Sequence, residues 1–141
     1  MLLVVALIAI ASGLAAMVLT GGLDGMRLRS SAKEIAAQLR YTRAQAIASG
    51  HPQRFVIDPV GHRWQAPNRR QGTIPPSLAV QFTGAREAQA RAGAGGIVFF
   101  PDGASTGGRV KLQAKKAAWR VDVAWLTGEV KLARAQAESL P

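Results

Sequence analysis

The first 23 residues of the chain, Met1 to Leu23, contain no charged side chain. A run of about 20 apolar residues is long enough to cross a bilayer as a helix. This run is longer than the apolar core of a secretory signal peptide, which has about 7–15 residues. The Ala-x-Ala pattern that would mark a cleavage site lies in the middle of the run and not after it. We therefore expect a retained transmembrane helix. Its large apolar side chains are Leu2, Leu3, Val4, Val5, Leu7, Ile8, Ile10, Leu14, Met17, Val18 and Leu19.

The pattern then changes to that of an amphipathic helix. Apolar or small residues recur at spacings of three and four, and the basic residues lie off this stripe. Gly50 and Pro52 predict the end of the helix. We expect a helix with a membrane segment, residues 1–23, and an amphipathic continuation, residues 24–50, with a local loosening or bend where Gly21, Gly22 and Gly25 cluster. The stripe consists of Leu28, Ala32, Ile35, Leu39, Thr42 and Ala46.

The remaining segment, residues 51–141, has the pattern of a β domain. Short apolar runs alternate with polar residues and are separated by turn residues, which favours antiparallel sheets with one polar face. Asp58 to Gly61 predicts a hairpin turn, and Thr83 to Gly96 predicts a mobile loop. The predicted fold class is α+β, with the long N-terminal helix packed on a small antiparallel sheet or sandwich of about seven strands. These strands are 55–57, 62–64, 78–82, 97–100, 109–113, 119–125 and 129–132.

The chain is strongly basic, with 18 Lys+Arg against 8 Asp+Glu and a formal net charge of +10. Such an excess favours an anionic partner, but the basic residues are scattered, which is typical of a solvated surface. Arg109 and Lys111 remain candidate anion contacts. Trp119 and Trp125 alternate with valines, so we assign both to the sheet core rather than to a base-stacking surface.

Catalytic patterns are incomplete. The segment from Gly103 to Gly107 has the spacing of a nucleophile elbow, but a strand follows it, and both histidines precede Ser105. The same loop lacks the Lys and the Ser/Thr of a phosphate-binding loop. The chain has no cysteine, which excludes disulfides and thiolate metal sites. We predict that the protein is not an enzyme and has no catalytic, cofactor-binding or metal-binding residue.

Three segments of the β domain carry a resemblance to a known family. They are Phe99-Phe-Pro-Asp-Gly-Ala-Ser-Thr-Gly-Gly-Arg-Val110, Trp119-Arg-Val-Asp-Val123 and Trp125-Leu-Thr-Gly-Glu-Val130. Together with the helix, they resemble the minor pseudopilins of the H type (GspH) of the type II secretion system, in the type IV pilin-like superfamily. The family motif falls on Phe99, Phe100, Pro101, Asp102, Gly103, Gly107 and Gly108.

The resemblance implies a structural role. A minor pseudopilin is a subunit of the periplasmic pseudopilus, which supports export of folded proteins across the outer membrane. The implied location is the bacterial inner membrane, crossed once, with the C-terminal domain in the periplasm. The implied partners are other pseudopilins, inner-membrane secretion components, membrane lipid and the prepilin peptidase, which processes the full-length precursor; methylation is also implied. The resemblance implies no cofactor and no nucleic acid.

Two alternatives remain at this stage. One is a type IV pilus minor pilin of the FimT kind, which binds DNA during uptake and usually carries a Gly-Arg-x-Arg element near its C-terminus. Here that end has Gly128-Glu-Val-Lys131, and only Gly108-Arg-Val-Lys111 comes close. The other is a membrane-anchored binding module unrelated to filaments.

One departure from the family generates a prediction. Related chains carry a short basic leader and Phe-Thr-Leu-Ile-Glu before the apolar run, whereas this sequence begins within that run. We expect Met1 to be an internal methionine, with codons for these residues upstream. Sequencing the DNA before the Met1 codon tests this, and an in-frame stop without Phe-Thr-Leu-Ile-Glu would contradict it.

Overall fold

A computed structural model describes residues 1–84 and 95–137, with the side chains of residues 14–22 excepted. In these residues a helix, α1 (Leu2–Ser49), precedes eight strands. The helix ends at Gly50, whose φ of 70° is left-handed and whose N–H donates to the carbonyl of Ala46 at 3.1 Å. The predicted helix end is therefore confirmed. The strands are β1 (Gln53–Asp58), β2 (Arg63–Ala66), β3 (Arg70–Thr73), β4 (Ala79–Gly84), β5 (Gly95–Phe99), β6 (Gly108–Gln113), β7 (Ala118–Val123) and β8 (Val130–Ala135).

The strands form two antiparallel four-stranded sheets. The first has the order β3-β2-β1-β5 and the second the order β4-β6-β7-β8. The predicted α+β class with antiparallel sheets is confirmed. The strand not predicted is β3, whose sequence Arg-Gln-Gly-Thr has no apolar alternation. It forms because it pairs with β2, where Gly72 lies opposite Trp64.

The predicted hairpin turn joins β1 to β2. One carboxylate oxygen of Asp58, Oδ1, accepts hydrogen bonds from the backbone N–H groups of Val60 at 3.1 Å and Gly61 at 2.9 Å. An aspartate that binds the backbone two or three residues on replaces a backbone acceptor and fixes the turn. The hairpin turn predicted from its residue types is therefore confirmed.

Two sequence-based assignments need correction. Thr83 and Gly84 belong to β4, and Gly95 and Gly96 belong to β5, so they are paired strand residues and not loop. The rest of that predicted loop, residues 85–94, lies outside the described residues. The second correction concerns Trp125, which follows the end of β7 and is 65% exposed instead of buried.

The C-terminal half of α1 packs against both sheets. The side chains of its predicted stripe are all buried, and they face strand residues such as Phe55, Phe99 and Val121. Thr42 is tolerated there because its hydroxyl donates to the carbonyl of Gln38 one turn earlier, at 2.7 Å. The stripe consists of Leu28, Ala32, Ile35, Leu39, Thr42 and Ala46, each at most 1% exposed.

The N-terminal part of α1 contributes no described residue to this core. Its large apolar side chains, from Leu2 to Ile10, are 58–89% exposed. The side chains of Leu14, Met17, Val18 and Leu19 lie outside the described residues. No helix in the part of the chain that the structure describes is long and apolar enough to cross a membrane.

Docking of α1 generates a stability prediction. Leu39 is fully buried, whereas Ile47, two turns later, is 48% exposed. We expect Leu39→Ala to lower the free energy of unfolding by about 2–5 kcal/mol, because it leaves a cavity between helix and sheets. The control Ile47→Ala should change it by less than about 0.5 kcal/mol. Urea denaturation of the full chain in mild detergent measures both, and equal effects would contradict helix docking.

Candidate functional site

The family-motif segment, residues 99–108, forms a compact loop between β5 and β6, here called the motif loop. The N–H of Phe100 donates to the carbonyl of Ala104 at 2.8 Å, and the N–H of Gly103 donates to the carbonyl of Phe100 at 2.9 Å. The carboxylate of Asp102 accepts from the N–H of Ala104 at 3.0 Å. The motif loop is therefore fixed by its own backbone and by one aspartate.

Ser105 connects the motif loop to the turn between β7 and β8, residues 124–129, here called the β7–β8 turn. Its hydroxyl donates to the carbonyl of Ala124 at 2.8 Å and accepts from the N–H of Gly107 at 3.0 Å. Its own N–H donates to the carbonyl of Trp125 at 2.8 Å. Ser105 is only 4% exposed, and its hydroxyl already donates one hydrogen bond and accepts another. These contacts are those of a structural bridge and not of a nucleophile.

Thr106 connects the motif loop to the first sheet. The N–H of Thr106 donates to the carbonyl of Val98 at 2.9 Å, and its hydroxyl accepts from the N–H of Val98 at 3.1 Å. Val98 lies on β5 of the first sheet, whereas the loop continues into β6 of the second. The motif loop therefore links the edge strand β5 of the first sheet to the inner strand β6 of the second sheet.

Two arginines of helix α1 donate hydrogen bonds to the motif loop, the β7–β8 turn and the start of β8. The Nε group of Arg43 donates to the carbonyls of Gly103 at 3.1 Å and Thr127 at 3.2 Å. One turn earlier, Nη2 of Arg40 donates to the carbonyl of Val130 at 3.1 Å. One guanidinium thus bridges the helix, the motif loop and the β7–β8 turn, an arrangement that we call the Arg43 clasp. Because the Nε atom of Arg43 carries one hydrogen, its two contacts form a single bifurcated hydrogen bond, and a hydrogen bond from a charged donor contributes about 1.5–3 kcal/mol.

Two glycines of the clasp are required by geometry. Gly103 has φ 91° and Gly128 has φ 67°, which are left-handed values that favour glycine. At Gly128, an added Cβ atom would also clash with the carbonyl oxygen of Gly103. The family motif is therefore explained by loop packing: Phe99 fills the core, Asp102 fixes the loop, and the glycines permit close backbone approach.

The candidate anion contacts Arg109 and Lys111 lie on β6, on the outer face of the second sheet. Arg109 Nε donates to Asp122 Oδ1 across the strand pair, and Arg120 Nε lies 3.1 Å from Asp122 Oδ2. Asp122 therefore offsets part of the positive charge at this place. Lys111 lies opposite Arg120 in the register. The structure brings the two predicted cations together with a third one and with a carboxylate that the sequence analysis did not pair with them.

A groove of about 690 Å³ lies between this sheet face and the β7–β8 turn, here called the Trp125 groove. This groove was not evident from the sequence, because the alternation of Trp119, Val121 and Val123 continues to Trp125, beyond the end of β7. The Thr127-Gly128 turn signal was the available clue, since hairpin pairing of Ala124 with Glu129 leaves Trp125 in the turn. The groove is lined chiefly by Gly107, Arg109, Asp122, Trp125, Glu129 and Lys131.

Among residues 1–84 and 95–137, no three His, Asp or Glu side chains lie close enough together to hold a metal ion.

A long N-terminal helix docked on a two-sheet antiparallel domain defines a pilin-like protein. Two solved structures are similar to it in fold. The minor pseudopilin EpsH from the type 2 secretion system of Vibrio cholerae matches with a TM-score of 0.61 and 20% identity, over 77% of this chain and 97% of that one. The type IV minor pilin FimU of Pseudomonas aeruginosa matches with a TM-score of 0.60 and 13% identity, over 78% and 90%.

Sequence comparison identifies the family. The model of the family described as Type II transport protein GspH matches residues 31–128, which include the buried half of α1 and end inside the clasp. A relative named type II secretion system protein H, from Xanthomonas campestris pv. campestris, is 65% identical over 131 residues, 93% of this chain and 78% of the relative. The chain belongs to the GspH family.

The clasp generates a prediction with an internal control. Gly50 and Gly128 have similar positive φ values, 70° and 67°, but an added Cβ meets nothing within 4 Å at Gly50. We expect Gly50→Ala to cost about 1–2 kcal/mol of unfolding free energy from backbone strain alone. Gly128→Ala should cost at least about 2 kcal/mol more, because the methyl group also displaces Gly103. Urea denaturation of both variants compares them, and equal losses would show that the clasp is not tightly packed.

Proposed function

We propose that this protein is a minor pseudopilin, a structural subunit of the type II secretion pseudopilus that supports export of folded proteins across the outer membrane. The observation that carries the proposal is the 65% identity to a type II secretion system protein H across 93% of the chain. The same proposal accounts for the architecture, in which a helix extends from a compact β domain.

The two halves of α1 support an assembly role. Its C-terminal half buries its apolar stripe within the chain, whereas apolar side chains from Leu2 to Ile10 remain exposed. A continuous exposed apolar surface of this kind is stabilised by lipid or by other apolar helices. We infer that this part of α1 packs beside the helices of other pseudopilins when the fibre forms.

The same distribution supports a location. We propose that residues 1–23 cross the bacterial inner membrane once and enter the fibre core, that residues 24–50 continue the helix, and that residues 51–141 form the periplasmic domain. The absence of charge between Met1 and Leu23 supports this proposal. The partners would be other pseudopilins, inner-membrane secretion components, lipid and, for the full-length precursor, the prepilin peptidase.

We propose that the role is not enzymatic. The serine of the only elbow-like segment in the sequence, Ser105, uses its hydroxyl to bridge the motif loop and the β7–β8 turn. Arg43, which lies at the same loop, donates to the backbone carbonyls of Gly103 and Thr127. These contacts hold two loops and a helix in fixed positions, as a subunit of an assembly requires.

The proposal predicts the phenotype of helix variants in the source organism. Deletion of the gene should stop release of the proteins exported by type II secretion, and the wild-type chain should restore it. We expect Ile8→Lys to restore little, because a charge near the middle of an apolar helix costs about 2.5–3.5 kcal/mol. The matched control Ile8→Leu should restore release fully. The measurement is the exported fraction in the culture medium.

A second measurement separates this proposal from the pilus alternative. The tagged full chain, purified in mild detergent, should co-purify with the other pseudopilins of the same organism. Unimpaired protein export after deletion, combined with loss of DNA uptake, would contradict the proposal and favour a pilin of the FimT kind.

A further inference from the structure

A short exposed face of α1, just after the uncharged segment, carries two cations. Met26, Arg29, Ser30 and Lys33 line one open groove on this face, and all four residues are exposed. At about 100° per residue, the face lies nearly opposite the buried stripe of the helix. Within the described residues, the side chains of Arg29 and Lys33 form no ion pair and no hydrogen bond. We call these two residues the helix pair.

The carboxylates in this part of the domain lie away from the helix pair. Asp24 lies on the far side of α1, and Glu34 lies about a third of a turn away. Glu34 lines a separate groove together with Arg27. In the first sheet, Asp58 lies opposite Arg63 in the strand register, so these two residues add no net charge. Among the described residues, the groove of the helix pair therefore contains no carboxylate.

The tight turn between β6 and β7 presents two further cations. Lys115 and Lys116 are its exposed central residues, here called the lysine turn, and the N–H of Ala114 donates to the carbonyl of Ala117 at 2.8 Å. The sequence from 112 to 119 contains no Asp or Glu. The hydrogen-bonded turn therefore holds two positive charges side by side at the end of the second sheet.

The second sheet extends from the Arg43 clasp to the lysine turn. At the clasp, Val130 pairs with Val123, and the carbonyl of Val130 accepts from Arg40 of α1. At the other end of the same strands, Ala135 pairs with Ala118, which directly follows the lysine turn. The lysine turn therefore lies at the end of the sheet opposite the clasp.

The segment between β3 and β4 connects this end of the sheet to the first turns of α1 after the uncharged segment. Pro75 lines a groove of about 390 Å³ together with Leu23 and Met26. The carbonyl of Pro75 accepts from the N–H of Leu78 at 3.0 Å, and β4 begins one residue later, paired with the end of β6. The helix pair and the lysine turn therefore lie at the same end of the domain. This end is also the one from which the uncharged segment emerges.

We propose that the helix pair and the lysine turn together bind the headgroups of anionic phospholipids at the periplasmic surface of the inner membrane. This inference rests on the proposed function, because it requires residues 1–23 to lie in the bilayer with the β domain beside it. It names the lipid class and the four side chains, Arg29, Lys33, Lys115 and Lys116, that would determine how the domain sits on the membrane.

The distances along α1 support this contact. Arg29 and Lys33 follow Leu23 by about 9 and about 15 Å, at a rise of about 1.5 Å per residue. Side chains on a helix tilt towards its N-terminus, which here is the direction of the bilayer. Long cationic side chains beside a membrane extend along apolar surface and place their charge among the headgroups. Anionic headgroups attract such cations, and each cation near the surface contributes to binding.

The order of apolar and cationic residues favours a lipid over a nucleic acid or an acidic protein segment. Leu23 and Met26 are 49% and 71% exposed, and they lie between the uncharged segment and the helix pair. The surface therefore changes from apolar to cationic along one axis, as a bilayer changes from acyl chain to phosphate. A DNA duplex would neutralise the cations but would leave these apolar side chains in water.

Two double variants of the full chain test the proposal. Arg29→Gln with Lys33→Gln neutralises the helix pair, and Lys115→Gln with Lys116→Gln neutralises the lysine turn. The control Arg69→Glu makes the same change in net charge, because it replaces one positive charge by one negative charge. Arg69 is exposed in the turn between β2 and β3, far along α1 from the helix pair, where Asn68 donates to Tyr41. Urea denaturation establishes that each variant is folded.

The measurement is the binding of phosphatidylglycerol and of phosphatidylcholine with the same acyl chains. Each lipid is titrated into the chain in a mild neutral detergent, and the bound lipid is counted by native mass spectrometry. We expect the wild type to bind phosphatidylglycerol at least about tenfold more tightly at low salt, since each cation contributes roughly fivefold. Each double variant should lower this affinity at least about fivefold, and Arg69→Glu should bind like the wild type. Raising the salt from about 0.05 to about 0.5 M should reduce the preference.

Two further probes separate the sources of negative charge. Excess inorganic phosphate should not displace phosphatidylglycerol, because it lacks the acyl chains that lie against Leu23 and Met26. A fluorescent DNA duplex should bind the wild type and both double variants equally. Displacement by phosphate would overturn the assignment to lipid. Weaker DNA binding by the double variants with unchanged lipid binding would assign these cations to nucleic acid.

Flotation of the wild-type chain with phosphatidylcholine vesicles, after removal of the detergent, tests the membrane segment separately. A chain that floats but binds both lipids equally would leave the proposed function intact and overturn this inference. An effect of only one double variant would overturn the joint site. A chain that does not float with any vesicle would contradict the proposed membrane location and this inference together.

Discussion

Burial of one stripe of α1 between the two sheets is the constraint on which the rest of the molecule depends. The helix is continuous from Leu2 to Ser49, and among its described side chains the buried ones begin at Leu28. The β domain can therefore close its core only by using the second half of a helix whose first half stays outside it. Burial of side chains such as Leu39 and Ile35 contributes about 1.5–3 kcal/mol each. These contacts fix the helix on the domain, so any force on the exposed half is transmitted to the β domain.

The Arg43 clasp makes this attachment specific. Apolar packing fixes which face of α1 is buried, but it is non-directional and tolerates small shifts along the helix axis. Hydrogen bonds from Arg43 to Gly103 and Thr127 are directional and therefore fix the axial position. The left-handed conformation of Gly128 allows the two loops to meet at this guanidinium. The family motif is thus located where helix, motif loop and β7–β8 turn join.

The sequence predicted those features that follow from periodicity or from local turn chemistry. Three features depend only on residues close together in the chain and could therefore be predicted: the stripe containing Leu39, the helix end at Gly50 and the Asp58 turn. Strand β3 was missed because it forms through pairing with β2 and has no apolar alternation of its own. The burial of Trp125 was predicted wrongly, since alternation along β7 does not reveal that the strand ends at Val123. The pairing of Arg109 with Asp122 depends on strand register, which residue spacing within one strand cannot give.

Two tryptophans of the β domain differ sharply in exposure. Trp64 stacks on Phe55 with ring centroids 6.1 Å apart and lies over Gly72, so its apolar surface stabilises the isolated domain. Trp125 is held equally firmly at its backbone, yet its ring stays in solvent. Burying a large apolar side chain contributes about 1.5–3 kcal/mol, and this fold leaves that contribution unused within the chain. Backbone hydrogen bonds at Trp125 and Thr127 fix the turn, so burial of the ring requires a change of its rotamer or contact with another surface.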